Sequence, residues 1–282
     1  MIDLHTHTSC SDGTLSPSRL MELAITNQLK AIAITDHDTT QGLQEAYAYL
    51  DAIEEHIKPM LISGIECSAI YNGRDIHILG LFINEKNLAF QKALHKNQMD
   101  RQERNREMIV GLSAGGFDIS EEQIKKRFGE ETVITRANLA RYLLDKGYVN
   151  SMKEAFDQYI GDGKKYYIPK KHITPEAVME LIKMADGIPV LAHPMQYHMN
   201  SYEQIQLVEY LLSIGLRGIE AIYTSHSKKE EAWLRTIANR YDLLVSGGSD
   251  FHGTNKPDIK LGIGYGNLHI PYAIIKEQDW TR

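Results

Sequence analysis

Histidines and carboxylates recur along this chain in short clusters of a kind that binds metal ions. They are His5-Thr6-His7 with Asp12 close behind, Asp36-His37-Asp38, Glu66, His77, His193-Pro194 and Ser249-Asp250-Phe251-His252. Imidazole and carboxylate donors together suit Zn, Mn or Fe, and several carboxylates in one site favour borderline or harder ions over a thiolate-loving metal. One carboxylate, such as Glu66, can bridge two ions. A lone histidine after a strand, as His77 or His193 would be by itself, is more often a satisfied polar residue than a ligand. The His-x-His pair carries more weight, because residues two apart in an extended chain project to the same face. Asp250 and His252 share that spacing. Six histidines and three carboxylates at equivalent places make coincidence a poor account, and the chemistry open to such a set is hydrolysis by a metal-activated water.

The elements that would position these residues are legible. Short apolar runs, Ile2–Leu4, Ala31–Thr35, Met60–Ile65, Ile76–Ile83, Ile188–Ala192, Gly218–Tyr223 and Leu243–Ser246, alternate with amphipathic stretches, which is the rhythm of βα units around a mainly parallel sheet. Each cluster falls at the C-terminal end of an expected strand or just past it, with His77 inside one. In a barrel that is the end where side chains from separate strands converge. Ser16-Pro17 and Thr174-Pro175 read as N-caps followed by a first-turn proline. From about Asn87 to Lys165 strand-like runs disappear, helical stretches follow one another, and turn signals stand at Gly115-Gly116 and Gly161-Asp162-Gly163. The division expected is a first barrel part over 1–86, a helical insertion over 87–165 covering the substrate, and a second barrel part over 166–282. The Lys-, Arg-, Glu- and Gln-rich helix from Gln91 to Met108 reads as a solvated face.

Composition narrows the function. The 282 residues are 43% hydrophobic and carry a formal net charge of −6, so a large core is available but no basic field to hold long duplex nucleic acid. Any nucleic-acid substrate is expected to be short or gripped at its end. Two cysteines, Cys10 and Cys67, are too few for a disulfide framework. With no leader-like start and no run of 18 apolar residues, the expectation is a soluble cytoplasmic protein without membrane partners.

The stretches Ile2-Asp3-Leu4-His5-Thr6-His7-Thr8-Ser9-Cys10-Ser11-Asp12-Gly13-Thr14, Ile34-Thr35-Asp36-His37-Asp38-Thr39, Gly64-Ile65-Glu66, Ala192-His193-Pro194 and Gly248-Ser249-Asp250-Phe251-His252-Gly253 together resemble the polymerase and histidinol phosphatase (PHP) superfamily. Within it the chain is similar to the tryptophan-operon-linked phosphoesterases, which also carry a helical insertion in mid-barrel. The resemblance implies an α/β fold, a distorted (β/α)7 barrel, with three divalent transition-metal ions (Mn, Fe or Zn). It implies that His5, His7, Glu66 and Asp250 hold one ion, Glu66, His77 and His193 a second, and Asp12, His37 and His252 a third. It further implies phosphate-ester hydrolysis, either removal of the 3′ phosphate from 3′,5′-bisphosphonucleotides or 5′-to-3′ trimming of short 5′-phosphorylated RNA. Cations suit that reaction because they neutralise phosphoryl oxygens that repel hydroxide and stabilise the leaving oxygen.

Other residues follow from the same resemblance. Arg136, in Thr135-Arg136-Ala137-Asn138, matches an arginine that points towards substrate phosphate, and Asn138 stands where family members often have histidine. Ser225-His226-Ser227 matches a stretch lining the substrate pocket, with His226 either a phosphate contact or general acid, or part of a helix cap made by Ser225 or Ser227. Glu66, His226 and Arg136 are thus the expected catalytic residues, with Arg136, Asn138, Ser225 and His226 expected at the substrate. Asp3, Asp36 and Asp38 either orient ligating histidines or serve turns and caps. Lys164-Lys165-Tyr166-Tyr167 offers stacking surface for a base or is a charged linker. Cys10 and Cys67 are expected to be small buried thiols, and His56, His95, His172, His198 and His269 to be structural or solvent-facing. A sugar-phosphate or histidinol-phosphate phosphatase, and a metal-holding module without turnover, are the competing functions.

Overall fold

Seven strands form one sheet in sequence order: β1 (Ile2–Asp3), β2 (Ala31–Ile34), β3 (Met60–Tyr71), β4 (Arg74–Leu81), β5 (Ile188–Leu191), β6 (Gly218–Tyr223) and β7 (Leu244–Gly248). The computed structural model describes residues 1–169 and 173–280, so the expectation for His172 lies outside the described residues. The sheet closes on itself. The Leu4 amide donates to the Gly247 carbonyl at 3.1 Å, that of Asp250 to His5 at 2.9 Å and that of His7 to Phe251 at 2.9 Å. This is the distorted seven-stranded barrel that the motifs implied.

The distortion lies in β4, which runs antiparallel to both neighbours while the other pairs are parallel. Its direction is set by two residues. Asn72 (φ 48°) and Gly73 (φ 78°) join β3 to β4 with Tyr71 paired to Arg74, the left-handed two-residue loop that Asn-Gly favours. Such a hairpin reverses the chain without a crossover helix. The strand expected to end at Ile65 therefore continues to Tyr71, and Glu66 lies inside it rather than past its end.

Helices α1 (Pro17–Thr26) and α2 (Gln41–Asp51) follow β1 and β2, and α3 (Leu88–Ala114), α4 (Glu121–Phe128), α5 (Arg136–Asp145) and α6 (Met152–Ala155) follow β4. The chain returns through α7 (Pro175–Met184), α8 (Ser201–Ser213) and α9 (Lys228–Arg240), and ends on α10 (Ala273–Glu277). Ser16 and Thr174 cap α1 and α7 as their sequence suggests, accepting from the amides of Arg19 and Ala177. Strand residues alternate between two buried faces: Ala31 and Ala33 join Leu79, Leu81 and Val190, whereas Ile32 and Ile34 join Leu20 and Leu43 of the flanking helices. Burial on both faces is what βα crossovers require.

Phe90 and Leu94 at the start of α3 pack into the barrel-side core. Further along, Met108, Leu112, Ile124, Leu139, Leu143 and Tyr166 form a separate cluster. The charged run of α3 is not wholly solvated: Arg104 and Asn105 are buried in the middle of it. The strip of α3 that carries Arg101 and Arg104 faces a cleft instead of water.

Candidate metal centre

The barrel brings all nine expected ligands together, and all but His37 and His77 are buried, those two being partly so. Glu66 stands at the centre. Its Oε2 lies 3.3 Å from His5 Nε2, 3.2 Å from His7 Nε2 and 3.2 Å from His37 Nδ1. Its Oε1 lies 2.8 Å from His77 Nδ1 and 3.1 Å from His193 Nε2. Asp250 Oδ1 is 3.4 Å from His7 Nε2 and 3.6 Å from His5 Nε2. On the other side Asp12 Oδ1 meets His252 Nε2 at 3.3 Å, while its Oδ2 lies 3.7 Å from His37 Nε2.

Close approaches of backbone make this convergence possible. A methyl group on Gly248 would stand 2.2 Å from Cβ of His5, so β7 can lie against β1 at the first ligand only without a side chain there. His193 (φ 25°) and Asp250 (φ 57°) hold left-handed backbone that non-glycine residues rarely adopt, a strain that clusters at functional sites.

The donor chemistry fits divalent cations. The buried nitrogens His5 Nε2, His7 Nδ1 and Nε2, His37 Nδ1 and His193 Nδ1 have no hydrogen-bond partner, although buried polar atoms are normally satisfied. Burial alone would raise the pKa of the three carboxylates. Against it, His37, His5 and His77 hold Glu66 well below its ordinary range, His37 and His252 do so for Asp12, and Lys256 and His252 for Asp250. The carboxylates are thus anionic, and buried anions call for paired or metal countercharge. Burial drives His37 down to about 3, whereas the facing carboxylates lift His7 to about 9 despite burial.

One residue that orients the set was not anticipated. Glu220, fully buried on β6, faces His5 Nδ1 at 3.1 and 3.3 Å through its two oxygens and accepts from the His193 amide at 2.8 Å. It fixes the tautomer that turns His5 Nε2 towards Glu66 and Asp250. Its signal in the sequence was a lone carboxylate inside the apolar run Gly218–Tyr223. The three aspartates considered for that job do other things. Asp3 binds Ser249 through amide and hydroxyl and the Gly262 amide. Asp36 ties the Thr8 amide and hydroxyl to the Ser11 hydroxyl. Asp38 pairs with Arg101. All three brace loops, and none bonds a ligand imidazole. Asp250 has its second oxygen fixed by the Tyr223 hydroxyl at 2.7 Å and Lys256 Nζ at 2.5 Å. His252 Nδ1 donates to the Asp250 carbonyl at 2.8 Å.

A cleft of about 140 Å³ opens beside the centre, lined by Asp12, His37 and His77 from the barrel and by Arg101, Arg104, Thr135, Arg136 and Phe156 from the helical segment. Arg136 reaches it, but its guanidinium already meets Asp162 at 2.6 Å and Asp75 at 3.2 Å and lies over the rings of Tyr167 and Phe156. Asn138, expected at the substrate, is engaged elsewhere. It is buried, its Oδ1 accepts from the Thr135 amide at 2.7 Å in the capping box of α5, and its Nδ2 donates to the Ser11 carbonyl at 3.1 Å. Thr135 in turn donates to Asp12 Oδ2 at 3.0 Å, so the pair ties the insertion to a ligand loop.

His226 is buried, and its Nδ1 lies 3.0 Å from the carbonyl of Ala221, the residue skipped at a β-bulge in β6. Burial lowers its pKa, so it is a neutral imidazole whose unpartnered Nε2 presents a lone pair. That arrangement suits accepting a proton or hydrogen bond, and it argues against a resting general acid or a direct grip on phosphate oxygen. Ser225 is exposed, and Ser227, not Ser225, caps α9. Tyr166 packs in the helical core, and Tyr167 lies under Arg104 and Arg136. Cys67 is buried and Cys10 partly so, both free, and burial raises Cys10 to about 11. His56, His95, His198 and His269 are exposed.

A family model described as the PHP domain matches residues 3–241. The chain belongs to the PHP domain family. A 3′,5′-nucleoside bisphosphate phosphatase of Chromobacterium violaceum is 34% identical over 251 residues, covering 89% of this chain and 87% of its own. A 5′-3′ exoribonuclease of Haemophilus influenzae is 32% identical over 250 residues, covering 89% of each chain. The crystal structure of a Bifidobacterium adolescentis protein described as a metal-dependent phosphoesterase superposes with a TM-score of 0.85 at 31% identity, over 98% of this chain and 94% of that one. No helix among the described residues is long and apolar enough to cross a membrane.

Proposed function

We propose that this PHP-domain chain is a metal-dependent phosphoesterase acting on nucleotides, as a 3′,5′-bisphosphonucleotide phosphatase, a 5′-to-3′ exoribonuclease on short RNA, or both. The observation that carries the reading is Glu66, whose two carboxylate oxygens face five imidazoles on two sides. In this reading His5, His7, Glu66 and Asp250 would hold one ion, Glu66, His77 and His193 a second, and Asp12, His37 and His252 a third. Such ions supply positive charge at the phosphoryl oxygens and a lowered pKa for water.

The chain's own residues do the rest. Glu66 would hold two positive centres together, Glu220 fixes the orientation of His5, the bulge-bound His226 offers a proton acceptor, and the segment 87–165 covers the cleft. Mn, Fe and Zn all suit the donors. A cytoplasmic setting, where thiols stay reduced, agrees with two free cysteines. The names of those two relatives support nucleotide substrates, since one is named for a nucleoside bisphosphate and the other for RNA.

The test is a screen of a 3′,5′-bisphosphonucleotide, mononucleotides, short 5′-phosphorylated RNA, a sugar phosphate and an aryl phosphate against Mn, Fe and Zn, with elemental analysis of the loaded protein. Nucleotide hydrolysis that chelation abolishes and metal restores, with close to three ions per chain, is expected. Preference for a sugar phosphate would favour the generic phosphatase, and absence of turnover with full metal loading would make the chain a metal-holding module.

A further inference from the structure

The loops that carry Asp12 and His37 are gripped from outside the barrel. On the stretch leading into α5, the Val133 amide donates to the Cys10 carbonyl at 3.0 Å, Asn138 Nδ2 to the Ser11 carbonyl at 3.1 Å and the Thr135 hydroxyl to Asp12 Oδ2 at 3.0 Å. From α3, Gln98 Nε2 donates to the Asp38 carbonyl at 2.8 Å and Arg101 pairs with the Asp38 carboxylate. Together they hold the left-handed residue (φ 51°) directly after His37. The buried Asn105 of α3 joins the two grips, because its Nδ2 donates to the Ile134 carbonyl at 2.7 Å. His5 and Asp250, by contrast, are braced by the barrel itself, through Glu220 and through Tyr223 and Lys256.

Thr135 is where this grip reaches a ligand side chain. Its hydroxyl has one proton and two acceptors at 3.0 Å, Asp12 Oδ2 and Asn138 Oδ1. Asn138 Oδ1 already accepts from the Thr135 amide at 2.7 Å, and an anionic carboxylate is the stronger acceptor, so the proton goes to Asp12. The amides of Ala137 and Asn138 donate to the same hydroxyl oxygen and aim it. The Ser11 hydroxyl, 3.4 Å from Asp12 Oδ1, is committed to Asp36 at 2.6 Å, and Asn255 of the barrel holds only the Asp12 backbone carbonyl, at 2.8 Å. Asp12 supplies the carboxylate in the group of His7, Asp12, His37 and His252, so the anionic charge of that group rests on the side chain that Thr135 orients.

We propose that Thr135 is a positioning residue for the ion that Asp12, His37 and His252 would hold, and that the helical segment thereby sets the loading of this ion apart from the other two. The inference rests on the three-ion part of the reading above and not on turnover. Such coupling is reciprocal: the docked segment raises affinity for the ion, and the ion favours docking by the same factor. The two positions braced inside the barrel load without that dependence.

The experiment titrates Mn into chelated full-length wild type, Thr135→Val, Thr135→Ser and Ser120→Ala, in competition with a chromophoric chelator and with elemental analysis of the bound ions. Thr135→Val keeps the shape of the side chain and removes the donor. It is expected to weaken one of the three ions roughly ten- to a hundredfold, the usual effect of a group behind a metal ligand, and to leave the other two as in wild type. Thr135→Ser restores the hydroxyl and the affinity. Valine also removes the cap of α5, and Ser120→Ala controls for that, since Ser120 caps α4 by accepting from the Gln123 amide at 3.2 Å; it is expected to leave all three affinities unchanged. Hydrogen exchange in the wild type reads the reciprocal effect without any variant: the Val133 amide should exchange more slowly as the last ion binds. Wild-type affinities in Thr135→Val, an equal loss at all three ions, the same loss in Ser120→Ala, or Val133 exchange indifferent to the last ion overturns the proposal. A wild type that saturates at two ions or fewer defeats the three-ion reading and this proposal with it, whereas three ions coupled as described but no ester hydrolysis defeats the phosphoesterase reading and leaves the role of Thr135 standing.

Discussion

Replacing Glu220 with glutamine removes one buried negative charge while keeping the shape and an acceptor oxygen beside His5 Nδ1 and the His193 amide. Hydrogen bonds to charged groups contribute about 1.5–3 kcal/mol and neutral ones about 0.5–1.5, so the change costs the imidazole about 1–1.5 kcal/mol of support. That corresponds to about tenfold in the affinity of the ion that His5 would hold, at the lower end of what residues behind metal ligands typically contribute. The effect should be confined to that ion, because Glu220 meets the His193 region only at a backbone amide 2.8 Å away. Competition against a chromophoric chelator, titrated separately for each binding phase, measures it.

A pH signature accompanies the loss. In chelated protein, Glu220, Glu66 and Asp250 hold His5 well above its ordinary 6.5 despite burial. The stabilisation from protonated His5 is therefore fully present below about 6.5 and lost as pH rises through the raised value. In Glu220→Gln that loss begins at lower pH, so the Tm of the chelated variant falls earlier on the alkaline side. Metal affinity and an alkaline stability limb both unchanged from wild type would refute the assignment of Glu220 as the group orienting His5.

Glu66→Gln is expected to leave the fold largely intact and to remove most turnover, because a neutral amide cannot supply the anionic bridge that two cations need; near-normal kcat with full metal occupancy would count against the bridge. Gly248→Ala places a methyl within 2.2 Å of His5 Cβ and within 2.7 Å of its amide nitrogen, contacts that β1 and β7 can relieve only by moving apart. Overpacking of this kind costs about 1–3 kcal/mol or more, so thermal unfolding should come several degrees earlier and metal analysis should show reduced occupancy.

The metal ligands were readable in the sequence because two local regularities coincide at them. His5 and His7, like Asp250 and His252, sit two apart in extended chain, and most of the nine residues stand where an apolar run ends, so alternation and the convergence of a barrel's strand ends were enough to group them. The barrel class was readable for the same reason: strand and helix periods are properties of neighbouring residues. The reversal of β4 was written at Asn72-Gly73, but the apolar runs on either side did not extend to the turn, and Glu66 and His77 were consequently placed relative to strands of the wrong length.

What tertiary structure alone decided is which polar groups meet across the fold. Asp3, Asp36 and Asp38 are local in sequence to the ligands and were the natural candidates to orient them, yet Glu220, 215 residues from His5, does it, because β6 lies beside β5 and β7 in the closed sheet. Arg136, Arg101 and Arg104 are alike in sequence, three arginines on helices. Only the packing of α3 and α5 over the barrel assigns carboxylates to two of them and leaves the third buried without one. A sequence specifies donors and their local spacing; the pairing of charges depends on distances between segments far apart in the chain, and these exist only once the barrel has closed.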